Sequence, residues 1–204
     1  MSSSLSSAVP GAAILRPALV LFGALTLLCG VLYPLAVTGI GRAVFAHQAG
    51  GSLVEAGGRT LGSTLIGQPF SRPGYFWGRP SATAPVPNNG AGSGGSNQGP
   101  TNPALIDAVK ARVAALRQAD PGNRAPVPVD LVTASASGLD PEISLAAAQY
   151  QARRIAAARG LPEQQVRALI EAQRQEPVLG FLGEPRVNVL ALNLALDGVR
   201  VRAQ

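Results

Sequence analysis

One cysteine, one histidine and one lysine are all that this 204-residue sequence holds of those three residues, and one Trp, three Tyr and five Phe make its aromatics few as well. A lone Cys29 excludes an intramolecular disulfide and any cysteine-based metal site. His47 stands just beyond a long apolar run, so a Ser-His-Asp triad would have to be assembled there, and a histidine metal site has no second histidine. Its simplest reading is an interfacial side chain. Lys110 is the one lysine open to a Ser–Lys dyad, but Asp107 lies one helical turn before it and offers an ordinary surface pair. Acids are also scarce, eleven against seventeen basic residues, giving a net charge of +6. Such a balance suits nucleic acid at first sight. The basic residues are scattered, however, with the densest group at Arg153, Arg154 and Arg159, and no aromatic interleaves with them as a stacking platform. The charge reads better as attraction to a membrane surface or an acidic partner.

Phosphate-loop chemistry is missing too. No GxxxxGK[ST] occurs, and the formal G-x-G-x-x-G at Gly90–Gly95 is preceded by prolines and followed by Asn97-Gln98-Gly99-Pro100. That motif binds a dinucleotide only between a strand and a helix, so here it marks a Gly-rich loop. Asp140 and Glu142 read as helix-capping acids, and Glu176 and Glu184 have no acid/base partner nearby in sequence. No autonomous enzyme is expected.

What the sequence does have is a long uncharged run. From Pro17 to Gly41 no charged residue appears, and Arg16 and Arg42 bracket the segment. As a helix it would reach roughly 37 Å, more than the ~30 Å of a bilayer core. Pro34 removes one backbone bond near its outer end. A cleaved signal peptide ending at Val44-Phe45-Ala46 is the competing reading, but such peptides carry a shorter apolar core and a more basic front. The expected organisation is a disordered tail over 1–14, a transmembrane helix over 15–42, and a folded domain over 43–204. Arg16 lies before the helix and Arg42 and Arg59 after it, so the positive-inside count leaves orientation open.

Within the domain, Leu61–Ile66 reads as a strand ended by the Gly67–Pro69 turn signal. Tyr75-Phe76-Trp77 is the one aromatic cluster and is expected to pin a loop to the core. A Pro/Gly/Asn/Ser-rich loop runs over 80–103. Asn102 and Pro103 then open a helix with Ile106, Val109, Val113 and Leu116 on one face. Val127–Thr133 reads as a strand. Asp140-Pro141-Glu142 reads as the start of a helix reaching Arg159 and stopping at Gly160, and Pro162 opens another with Val166, Leu169 and Ile170 inward. Val187–Leu196, apolar on both faces, reads as a buried strand. The fold class expected is a single N-terminal transmembrane helix plus a mixed α/β (α+β) soluble domain.

Four blocks carry a family resemblance. They are Gly62–Gln68 with Tyr75-Phe76 and Gly78–Ala82; Ser93–Asn97 with Gly99-Pro100 and Asn102-Pro103; Val129–Pro141; and Gly183–Leu190 with Leu192–Asp197. In this order, behind one membrane helix, they closely resemble the KdpC family, the C subunits of the bacterial Kdp potassium-transporting ATPases. The resemblance spans about Arg16 to Asp197. It implies an accessory, non-catalytic subunit of a four-part pump, whose partners are a channel-like potassium-binding subunit, a P-type ATPase subunit and a small membrane peptide. It also implies an inner-membrane anchor with the C-terminal domain periplasmic, a role in assembly, and action as a catalytic chaperone that raises the ATP affinity of the ATPase subunit. ATP and K+ belong to the complex, with no cofactor assigned to this chain, although Ser93-Gly94-Gly95 resembles a nucleotide-transporter signature. Ser93, Gly94, Gly95, Ser96 and Asn97 are then candidate partner contacts, in a loop whose order depends on the partner. Arg153 and Arg154 are further candidates, facing acidic partner surface or lipid headgroups. A membrane-anchored binding or assembly module unrelated to potassium transport is the alternative.

Overall fold

The computed structural model describes residues 11–199, and the chain divides after Gly50 into two compact units. In the first unit, α1 (Gly11–Leu27), a π-helical turn (Leu28–Leu32) and α2 (Tyr33–Val44) form one helical run, followed by the short α3 (Ala46–Ala49). The π turn sits where the sequence demands an irregularity. Pro34 has no N–H to give, and the wide turn before it lets the Tyr33 N–H reach back to Leu28 O. The stretch Ile14–Val44, 31 residues, is long and apolar enough to cross a membrane. At 1.5 Å per residue it extends about 46 Å. Of the tail expected over 1–14, residues 1–10 lie outside the described residues, and Gly11–Ile14 belong to the helical run.

The second unit opens with an antiparallel hairpin, β1 (Leu53–Ala56) and β2 (Arg59–Ser63), turned by Gly57 and Gly58, both at positive φ. Positive φ at both central residues matches the twist of a two-residue hairpin. The strand expected to run on to Ile66 stops at Ser63. There Ser63 Oγ leaves the strand pattern to accept the Leu65 N–H, and it donates to Gly51 O. A second sheet, in the order β3 (Glu142–Ser144), β5 (Arg186–Asn188), β4 (Arg174–Gln175), is antiparallel throughout. Around it lie α4 (Pro103–Ala119), α5 (Leu145–Arg159), α6 (Glu163–Ala172) and α7 (Val189–Leu196). The mixed α/β class stands.

Several local expectations stand as well. Asn102 accepts the Ala104 N–H at the start of α4, Gly160 ends α5 at φ 64°, and α6 follows Pro162. Others are corrected. Val127–Thr133 is no strand but a 3-10 turn at Val129–Leu131. Pro126 and Pro128 flank Val127 and cannot donate to a ladder, and Thr133 Oγ1 donates back to Val129 O. The helix expected from Asp140 begins later. Asp140 Oδ1 accepts the Glu142 N–H in a local turn, Ile143 pairs with Val187, and Ser144 is the true N-cap, accepting from the Ala147 N–H. Val187–Leu196 is strand only to Asn188. The Asn188 side chain then accepts the Ala191 N–H and starts α7, whose apolar faces are buried nearly all round, so its hydrophobicity mimicked a central strand. On α4, Val109, Val113 and Leu116 pack on the core, whereas Ile106 is exposed.

The core joins Phe76, Ile143, Ile155, Val166, Ile170, Val187 and Leu192. Small residues on α5 (Ala147, Ala148, Ala152) are fully buried and let neighbouring elements approach closely. Phe76 and Trp77 belong to no strand, yet their backbone is paired. Asn193 Oδ1 accepts the Phe76 N–H at 2.8 Å and Asn193 Nδ2 donates to Phe76 O at 3.0 Å. Gln151 does the same for Trp77, accepting at 2.8 Å and donating at 3.1 Å. Both amides are buried, 2% and 1% exposed. Replacing Asn193 by Leu would strand both polar groups of Phe76 in the core. We expect Asn193→Leu to lower unfolding stability by roughly 2–4 kcal/mol, and urea denaturation of the full chain in detergent checks it.

Candidate functional site

The segments that carry the family resemblance come together in the second unit. Gly67 N–H donates to Leu139 O at 2.8 Å, Asn188 Nδ2 to Thr64 O at 2.9 Å, and Gly94 N–H to Ser137 O at 2.8 Å. The Gly-rich loop is laid along Ala136–Gly138 rather than left free. Ser93 Oγ also donates to Ser137 O, and Ser81 Oγ donates to Gly138 O at 2.6 Å while accepting the Asn88 N–H. Intrachain bonds therefore hold the stretch that was expected to need a partner for its order.

Gly94 and Gly95 are not equivalent within it. A Cβ on Gly95 would stand 2.9 Å from Ala136 O, too close for real side chains, whereas a Cβ on Gly94 meets nothing within 4 Å. Gly138 closes the other side at φ 67°, with Gly94 O 2.6 Å from where its Cβ would be. Ser93, Ser96 and Asn97 are exposed, and Asn97 holds a positive φ of 51°. The loop thus presents Ser96 and Asn97 outward, with Ser93 exposed but its hydroxyl turned to Ser137 O, from a backbone bonded at Gly94 and packed against Ala136 at Gly95.

The arginine cluster is arranged differently from the expected basic face. Arg154 is buried, 5% exposed, so within this chain it is not presented to a partner or to lipid. It donates to Pro73 O, to Tyr75 O at 3.1 Å and to Gln151 Oε1 at 2.6 Å, and its guanidinium lies 4.2 Å over the Trp77 ring. Burial lowers its pKa to about 10, with the charge of Asp120 acting the other way, so it remains charged at neutral pH. Arg153 pairs with the buried carboxylate of Asp120 at 2.5 Å, and that hydrogen bond raises its pKa. Arg159 donates to Gly74 O, Leu196 O and Asp197 and stacks 4.6 Å over Tyr75. Arginine's planar fork suits this bridging of several carbonyls, which a lysine could not reproduce.

A cleft of about 530 Å³ went unread in the sequence. Arg79 and Asp140 meet across it at 3.1 Å, Arg186 Nε lies 2.6 Å from Glu142, and Asp130 and Glu184 add two more carboxylates to its wall. Asp130 is occupied, accepting the Ser144 N–H at 2.8 Å. The Arg186–Glu142 approach is a charge contact without hydrogen-bond alignment, since Arg186 Nε has no bonded partner. The sequence signal for this cleft is that Arg79, Asp140 and Arg186 each lie inside a resemblance block. Among the described residues no three His, Cys, Asp or Glu side chains are grouped to hold a metal ion. Lys110 pairs with Asp107 at 3.9 Å in the open.

Fold and site define a class. This is a chain with an N-terminal helix long enough to cross a membrane and an α/β unit in which Arg79, Arg112, Arg154 and Arg159 are used to hold its own loops. The chain belongs to the KdpC family: the family model described as "K+-transporting ATPase, c chain" matches residues 15–198. Among curated relatives, the potassium-transporting ATPase KdpC subunit of Herminiimonas arsenicoxydans is 68% identical over 183 residues, covering 90% of this chain and 96% of the relative. That of Variovorax paradoxus (strain S110) is 68% identical, covering 90% and 95%, and that of Methylibium petroleiphilum 67%, covering 92% and 98%.

The buried and surface arginines should separate on mutation. Arg154→Ala leaves buried carbonyls without donors and should cost about 2–4 kcal/mol. Arg167, whose guanidinium pairs with Glu163 on the surface of α6 at 2.5 Å, should cost about 0.5 kcal/mol or less as Arg167→Ala. Denaturant unfolding of the two variants compares them directly.

Proposed function

We propose that this chain is a non-catalytic accessory subunit of an ATP-driven, high-affinity potassium uptake complex. The observation that carries the reading is the match to the K+-transporting ATPase c-chain family over residues 15–198. Relatives named as KdpC subunits, at 67–68% identity along almost their whole length, support it further. Its partners in this reading are a channel-like potassium-binding subunit, a P-type ATPase subunit and a small membrane peptide, which handle K+ and ATP between them. The anchor is Ile14–Val44 in the inner membrane, and the C-terminal unit is periplasmic. Ser93, Ser96 and Asn97 contact a partner from the loop held at Gly94 and Gly95. Assembly through such contacts stabilises the pump, and the subunit raises the ATP affinity of the ATPase subunit by coupling rather than by touching nucleotide.

Co-purification tests the core of this reading: a tagged chain should bring down the channel-like and P-type ATPase subunits, and its deletion should abolish potassium uptake at low external potassium. Recovery of the chain alone from intact membranes would overturn it. Orientation is tested with Lys110→Cys in a Cys29→Ser background. Lys110 is about three-quarters exposed, so an impermeant thiol reagent should label it in intact spheroplasts, and protection there would reverse the topology. The glycine pair separates docking from folding. Gly94→Val places a side chain in space that is open within this chain, so it should weaken subunit retention without lowering the chain's own melting temperature. Gly95→Val should lower both. ATP affinity in either variant complex should fall in proportion to subunit loss, and a fully assembled variant with lost ATP affinity would contradict the coupling.

A further inference from the structure

Between Pro177 and Gly183 the chain reverses tightly and turns its apolar side chains outward. Val178 and Leu182 pair across the reversal, Val178 N–H donating to Leu182 O at 3.1 Å and Leu182 N–H to Val178 O at 2.9 Å. Gly180 N–H donates to Pro177 O at 2.9 Å, and Phe181 N–H to Val178 O at 3.4 Å. Four N–H groups are bonded inside the turn, while the carbonyls of Leu179, Gly180 and Phe181 at its tip accept no bond among the described residues. Leu179 is 78% and Phe181 72% exposed, with Val178 and Leu182 more than half exposed beside them.

Leu179 is also strained. Its φ is +57°, and Gly180 follows at +79°. Two successive positive φ values are what Asn-Gly or Gly-Gly supplies without steric cost, whereas a leucine there brings its Cβ against the backbone. The strain secures no burial for that side chain in this chain. An outlier kept at an exposed apolar tip points to a function for the side chain.

The chemistry of the tip selects its surroundings. No charge occurs from Pro177 to Gly183. Of the flanking charges, Arg174 lies 2.7 Å from Glu176 and Arg186 2.6 Å from Glu142, and Glu184 stands at the base of the turn, outside the apolar tip. Apolar side chains on an uncharged turn can enter the headgroup–acyl boundary of a bilayer, where the unpaired tip carbonyls still meet water and headgroups, which limits the insertion to a shallow one. The same chain carries Ile14–Val44, long and apolar enough to cross a membrane, so lipid is always at high effective concentration. The net charge of +6 adds attraction to anionic headgroups. We infer that the 177–183 hairpin inserts shallowly into the lipid bilayer, as a second and reversible membrane contact beside the spanning helix. The inference rests on Ile14–Val44 being a retained anchor and stands apart from the identity of the pump partners.

The test uses the full chain in vesicles of phosphatidylethanolamine and phosphatidylglycerol. In a Cys29→Ser background, Leu179→Cys is labelled with an environment-sensitive fluorophore, and Lys110→Cys serves as the control; both positions are exposed, so the fold tolerates the label. Insertion predicts blue-shifted emission at position 179, quenched by lipids carrying a shallow nitroxide, with neither effect at position 110. Water-like emission at position 179 would overturn the inference. So would a blue shift that appears only when the pump subunits are added and that nitroxide lipids do not quench, which would assign the tip to a protein socket.

Discussion

The folded unit depends on two side-chain amides doing the work of a missing strand. Phe76 and Trp77 cross the core without a ladder partner, and Asn193 and Gln151 supply both a donor and an acceptor to each. In a low-dielectric interior a fully satisfied set of this kind is strong, and a half-satisfied one would be costly. With that segment fixed between α5 and α7, Arg154 and Arg159 can close over the carbonyls of Pro73, Gly74 and Tyr75. Arg79 then leaves the core at a set position, reaches Asp140, and starts the long loop from a fixed point. The loop is returned to the same wall through Ser137 and Gly138. Long connections without regular structure are kept in place here by backbone-directed side chains rather than by sheet.

How much of this was legible depended on whether the signal was local. The caps at Asn102 and Gly160 and the proline before α6 are local, and they placed three helix ends. Tyr75-Phe76-Trp77 is readable as a loop pin because it is the one run of consecutive aromatics in the sequence, and Phe76 is fully buried. Strand and helix were confused where the apolar pattern is symmetric. Val189–Leu196 is apolar all round because its helix is enclosed, and the deciding residue was Asn188, whose capping role looks like any other asparagine. Asp140-Pro141-Glu142 has the composition of a helix start, but pairing of Ile143 with Val187 decided the backbone from more than forty residues away.

The arginines show the same division between near and far. Arg153 and Arg154 are adjacent and chemically identical, so sequence alone assigns them one face. Side chains on successive helical residues diverge by about 100°, and here that angle sends one guanidinium to Asp120 and the other into the carbonyls of a loop some eighty positions earlier. Only the second segment makes Arg154 structural. In the same way Gly94 and Gly95 read as one glycine pair, and the proximity of Ala136 O to the second alone distinguishes them.

The width of a bilayer limits how the proposed effect on ATP affinity could arise. On the proposed orientation the loop of Ser93–Asn97 is periplasmic, and the bilayer interposes ~30 Å of hydrocarbon before headgroups are counted. No side chain in that loop spans such a gap, whatever its likeness to a nucleotide signature. The groups it has to offer are an exposed Ser96 and Asn97 and the edge of Ser93, on a backbone bonded to Ser137, and on the proposed reading they meet another protein surface. A grip of that kind changes affinity at a remote site only by favouring one state of the partner over another, and such couplings typically amount to ~1–3 kcal/mol, or about 5- to 150-fold. By linkage, whatever strengthens ATP binding through this subunit must strengthen the subunit's own hold on the ATP-bound pump by the same factor. On the proposed reading, fixing the loop within the chain has a thermodynamic consequence. A flexible loop would lose part of any differential binding to the entropy of ordering, whereas one bonded to Ser137 would have met part of that cost in folding, before any partner state is distinguished.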